Sequence, residues 1–291
     1  MRFRVALAVV VAILSPSQLL ARQSLALNER DGQLLNAAYN GDTASVQKLL
    51  AEGANMDARD VRDGRTALAI AAEAGQTDAA AVLIGKGANL EAKDNFGNTA
   101  LVRAVKSGQA AAVKLLLEKG ANPEAGDDGG ETPLMAAAAA YQASAEITQL
   151  LLERKVKTEA RDAAGQTALM YAASAGNARS VRLLLDHGAN IEAKGSDGNT
   201  PLIDAALDTN IGDTAATLKA LLEAGAKIET RNGAGQTALI VAGWSGNTDC
   251  VRLLLERGAD RNASDRQGKT ALDYARENKR LQAVRLLEPA R

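Results

Sequence analysis

The chain has 291 residues, with 34 Lys and Arg against 35 Asp and Glu, and a formal charge of −1. So even a balance offers no long-range field to draw nucleic acid or acidic membranes, and no Lys/Arg cluster alternates with aromatics as nucleic-acid grooves do. Apolar residues make up 46% and aromatics only 2%, so a core must be assembled from Leu, Val and Ala, and the single cysteine rules out an intramolecular disulfide.

Residues 1–26 stand apart. Arg2 and Arg4 precede an apolar run from Val5 to Leu14, Pro16 and Ser17 break it, and small residues follow at Ala21 and Ala26. This is the layout of a secretory signal peptide, with cleavage after Ala21 or Ala26. The alternative is an anchor over residues 5–20, but the unbroken run falls short of the roughly 20 apolar residues that cross a bilayer. The mature chain, 27–291, is therefore expected in the periplasm or outside the cell, with no membrane span of its own.

From Asp31 onward one sentence recurs. A degraded copy spans Asp31 to Asn55, and the threonine of G-x-T-[A/P]-L then returns at Thr66, Thr99, Thr132, Thr167, Thr200, Thr237 and Thr270. The steps are 33, 33, 35, 33, 37 and 33 residues, a period that marks stacked repeats. Inside a copy, the threonine suits an N-cap and Pro133 and Pro201 suit the first helical position. Gly75, Gly108, Gly176 and Gly246 close this first helix. A second follows, with Val181, Leu184 and Leu185, or Val251, Leu254 and Leu255, on one face at i, i+3 and i+4. A polar stretch such as Ala189–Asn199 then predicts an extended turn or hairpin. Two copies are longer between their helices, by two residues after Ala140 and by four after Asp208. The last copy is charged, and the first carries Asn36, Tyr39 and Asn40, as the ends of an open stack require.

The pattern G-x-T-P-L-x-x-A-A-x-x-G followed by V-x-x-L-L-x-x-G-A-[N/D]-x-x-A resembles the ankyrin repeat family, over Glu29 to Leu287. The resemblance implies an all-α solenoid of about eight helix-turn-helix units with projecting β-hairpin or turn loops. It also implies a non-catalytic scaffold that binds another protein through its concave face and hairpin tips. Periplasmic members that assist oxidative-stress enzymes make an accessory or inhibitory enzyme subunit the alternative, and an effector delivered to a host a third. The histidine usual after T-P-L is replaced by Ala69, Val102, Met135, Met170, Ile203, Ile240 and Asp273, so its bonds to neighbouring repeats are expected to be absent.

Little in the sequence offers chemistry. His187, the only histidine, fills a position held elsewhere by Lys86, Lys119 and Arg257, and is read as solvent-facing. Cys250 takes the slot of Ser180 and is read as a small buried residue. No catalytic, cofactor or metal site is expected, and the protein is expected to be a monomer. Specificity should lie where copies differ, at the loop tips and the last turn of the first helix. The candidate protein-binding residues are Phe96, Arg103, Lys106, Tyr171, Trp244, Arg266 and Lys269. Phe96 and Trp244 stand where other copies carry small or polar residues.

Overall fold

A computed structural model describes residues 28–140, 144–207 and 213–288. The expected signal peptide and most of both insertions lie outside these residues. Sixteen α-helices and no strand run through the described chain. They are α1 (Glu29–Asn40), α2 (Thr43–Ala51), α3 (Ala67–Glu73), α4 (Thr77–Gly85), α5 (Ala100–Lys106), α6 (Ala110–Glu118), α7 (Pro133–Ala139) and α8 (Ser144–Leu152). There follow α9 (Ala168–Ser174), α10 (Ala178–Asp186), α11 (Pro201–Ala205), α12 (Thr214–Glu223), α13 (Ala238–Ser245), α14 (Thr248–Glu256), α15 (Ala271–Glu277) and α16 (Leu281–Leu287).

The helices pack as successive pairs, α1 on α2 through α15 on α16. Each first helix also packs on the next first helix, and each second on the next second. Two rows of helices thus share one continuous core, and each pair touches only its neighbours. The first-helix row is the more deeply buried. In α3 every residue from Ala67 to Ala72 is buried, and the same holds for Ala238 to Gly243 in α13. Alanine and glycine permit this closeness: a Cβ added to Gly243 would stand 2.6 Å from the carbonyl oxygen of Ala271. The second row buries one face only, as in α14, where Val251 and Leu254 are fully enclosed.

The local signals operate largely as the sequence suggests. The hydroxyls of Thr66, Thr99, Thr132, Thr237 and Thr270 accept the N–H three residues on. Thr167 and Thr200 are exceptions: with φ near −100°, their hydroxyls find no hydrogen-bond partner among the described residues. Two residues in the histidine's place bond within their own copy instead. The sulfur of Met135 accepts from Thr132 N–H at 3.4 Å, and the Asp273 carboxylate accepts from Thr270 N–H at 2.9 Å. Two closing glycines are replaced without any change of backbone, since Lys155 and Lys279 keep φ of 56° and 57°.

The projecting loops are turns. Isolated bridges join Arg59 to Thr66 and Ser264 to Thr270, but no paired strands form among the described residues. Each tip is too tight for a strand ladder because it folds around one side chain. Asp94 accepts from the N–H groups of Phe96 and Asn98 while its own N–H bonds the Asn98 carbonyl. The tips are then stitched to one another. Asn95 N–H donates to Asp63 O, Asp128 to Phe96, Ala163 to Gly129, Ser196 to Ala164, Gly233 to Asp197 and Arg266 to Ala234, at 2.8–3.3 Å.

Candidate functional site

The tips and the ends of the first helices form the two walls of a groove. Because threonine fixes the start of each first helix, the residue seven places on stands at or just past the end of that helix, facing the tips. Glu73, Lys106, Leu207, Trp244 and Glu277 occupy this position. The charges on the two walls answer each other. Arg65 at one tip bonds Glu73 at 2.8 Å, Lys106 reaches Asp127 and Glu131 at the next tip at 3.1 and 2.9 Å, and Lys269 bonds Glu277 at 2.8 Å.

A second set of residues, four places after threonine, lies deeper. Arg103 is only 15% exposed; its Nε bonds Asp94 Oδ2 at 2.6 Å, and its guanidinium lies 5.8 Å from the centre of the Phe96 ring. The hydroxyls of Tyr171 and Tyr274 donate to Asp162 and Asp265 at 2.8 and 2.6 Å. These contacts set the ionisation of the groove. Burial alone would raise Asp60, Asp94 and Asp127, but the hydrogen bonds from Arg65, from Phe96 and Asn98 N–H with Arg103, and from Lys106 hold all three below the usual carboxylate range. Burial likewise raises the Tyr171 phenol, and the charge of Asp162 raises it further.

Asp204 occupies the same deep position and behaves in the opposite way. It is 4% exposed, its Oδ1 accepts from the Asn199 amide at 3.0 Å, and its Oδ2 has no partner among the described residues. Burial pushes its pKa up to about 7, the Asn199 bond opposes this, and the charge of Asp197 adds to it. An acid inside the apolar run "PLIDAAL" is a visible signal in the sequence that the candidate set above leaves out.

The candidate residues do not converge on one point. Phe96, Arg103 and Lys106 cluster over α5, with Phe96 58% exposed. Trp244, 48% exposed, lines a cavity of about 310 Å³ with Leu207, Val241 and Tyr274, whose polar side is made by Asn199 and Asn232. Lys269 stands over the Tyr274 ring at 5.2 Å. Arg266 lines a separate hollow among the tips with Arg231 and Lys194. Tyr171 lies between these groups, tied to its own tip. His187 is exposed, with Nδ1 2.8 Å from Leu183 O, and Cys250 is buried. Among the described residues no cluster of His, Cys, Asp and Glu is placed to hold a metal. None of their helices is long and apolar enough to cross a membrane.

A row of helix pairs with a charged, aromatic-edged groove defines a helical repeat solenoid. A family model described as ankyrin repeats (3 copies) matches residues 34–127, 134–232 and 202–290. The chain belongs to the ankyrin repeat family, whose repeats are generally protein–protein interaction modules and typically non-catalytic. No curated protein matches it.

Proposed function

We propose that this protein is an exported, non-catalytic scaffold that binds a partner protein along the groove between its tips and first helices. One observation carries the reading. Most charged groups of the groove are engaged with one another, yet Phe96 and Trp244 stand out of it half-exposed in the interior copies; of the other exposed large apolar side chains, Tyr39 and Leu281 belong to the terminal copies and Val61 to the first tip. Exposed aromatics on a rigid wall are the anchors that protein interfaces use. Export rests on the layout of Arg2 to Ala26, and puts the partner in the periplasm or outside the cell.

The test is site-specific photo-crosslinking in the producing cell. A photoreactive residue at Phe96, Lys106 or Trp244 should give a discrete adduct in the envelope or secreted fraction. The same residue at Lys114, exposed on the opposite row, should give none. Adducts from Lys114 alone would move the binding surface to the second helices, and a purely cytosolic protein starting at Met1 would end the export reading.

A further inference from the structure

Along the groove the chain supplies its own cations. Arg65 holds Asp60, Arg103 holds Asp94 and Lys106 holds Asp127. Two of the aromatic rings are supplied as well, Phe96 by Arg103 and Tyr274 by Lys269. Two groups depart from both patterns. The Asp204 carboxylate, 4% exposed, has an Oδ2 with no partner among the described residues. Trp244, the largest ring, has no cation over it among the described residues. The two stand on α11 and α13, which pack side by side. Asn199, which holds Asp204, also lines the Trp244 cavity.

The repeat register explains the gap. Arg103, Tyr171 and Tyr274 each meet an acid nine residues earlier, at Asp94, Asp162 and Asp265. Of the two copies between those of Tyr171 and Tyr274, the second pairs Val241 with Asn232 at these positions, and in the first the acid has moved into the helix, at Asp204, with Gly195 nine residues earlier and no side chain there to meet it. A buried carboxylate without a counter-charge is costly, and a cation brought to it removes that cost. Tryptophan is the best cation–π face, and guanidinium both stacks on rings and donates in a fork to carboxylates. The side-chain amides of Asn199, Asn232 and Gln236 line the same cavity, with Asn232 donating to Asn199 and Gln236 at 3.0 and 3.2 Å, and amides can exchange such bonds for the N–H and C=O groups of a peptide. Resting on the reading that the groove binds protein, we infer that the Trp244 cavity takes an arginine side chain from an extended segment of the partner. The guanidinium stacks on Trp244 and takes the place of the Asn199 amide on Asp204 Oδ1, while Leu207 and Val241 meet the apolar residues flanking that arginine.

Trp244 is the only tryptophan of the chain, so its emission reports on this cavity alone. The probe is a blocked Gly-Leu-Arg-Leu-Gly peptide, compared with the same peptide carrying citrulline, the neutral isostere of arginine. The arginine peptide should shift Trp244 emission saturably and bind roughly tenfold or more tighter than the citrulline peptide. D204N should abolish that preference. Equal binding of the two peptides, no binding of either, or an undiminished preference in D204N overturns the inference. Tight binding of free agmatine, equal to that of the peptide, overturns the commitment to a protein segment. Should D204N fail to fold, the citrulline comparison on the native chain decides alone. Crosslinks from Phe96 and Lys106 with no arginine preference at Trp244 would leave the binding role standing and remove only this inference.

Discussion

Asp204 links a single side chain to the solution behaviour of the protein. Its folded pKa is raised to about 7 by burial, against roughly 3.9 in an unfolded chain. The folded state therefore holds a proton that the unfolded state has already lost between about pH 4 and pH 7. Stability is complete below that window and falls as pH rises through it, by up to about 4 kcal/mol for a shift of this size. Asp197 is the neighbouring charge that strengthens the effect, and the Asn199 amide opposes it. D204N cannot ionise, so its urea midpoint should lack this part of the decline between pH 4.5 and pH 8. The difference between the two proteins across pH is the readout, because the new amide N–H also needs an acceptor and shifts the absolute level by about 1–3 kcal/mol. Parallel pH profiles for native protein and variant would show that Asp204 is ionised in the fold.

Successive helix pairs are joined by more than their apolar faces. Glu91, Glu124, Glu159, Glu192 and Glu229 recur after the second helix, and each accepts the backbone N–H of a residue in the next copy: Asn122, Lys157, Asn190, Lys227 and Asp260. Glu192 also accepts from the Thr230 hydroxyl at 3.0 Å. Glu192→Ala should lower stability in urea by about 1–2 kcal/mol, since two hydrogen bonds to a carboxylate are lost at a partly solvated site. Glu192→Gln keeps an acceptor and should lose less than half of that; equal losses would mean that the carboxylate's charge matters rather than its hydrogen bonds. This ladder is legible in the strings "NLEA", "NPEA" and "NIEA", whose glutamate repeats as faithfully as the leucines. The helices were equally legible, because threonine, glycine and the i, i+3, i+4 stripe are local signals. The tips were not. Whether a polar loop pairs as strands or folds around one aspartate depends on bonds to the neighbouring tip, as between Asn95 and Asp63. The same limit hid the partners of Arg103, which lie on other elements and include Asp63 and Glu73 of the preceding copy.

At the scale of the molecule, repetition builds a long uniform core so that a few irregular residues can be displayed along one edge. Stability in such a stack is a sum of pair and neighbour terms, so damage to the core stays local while damage to the groove leaves the core alone. Leu254 and Trp244 separate the two. Leu254 is fully buried in α14, whereas Trp244 is 48% exposed at the end of α13. Leu254→Ala should cost roughly 2–5 kcal/mol, from lost burial and the cavity left behind. Its hydrogen-exchange protection should fall first over α11 to α16, its own pair and the two pairs that touch it, and last over α1 to α4. Trp244→Ala removes a side chain whose outer half already faces water, and should cost about 1 kcal/mol or less with protection unchanged elsewhere. If the groove is the binding surface, the same variant should weaken partner capture by about thirtyfold, the effect of losing one anchor worth roughly 2 kcal/mol. Leu254→Ala, assayed below its own melting point, should bind almost normally through the intact tips. A Trp244→Ala protein that unfolds as readily as Leu254→Ala would make the tryptophan part of the core. One that folds and binds normally would shift the anchor to Phe96, where Arg103 already braces the ring against α5.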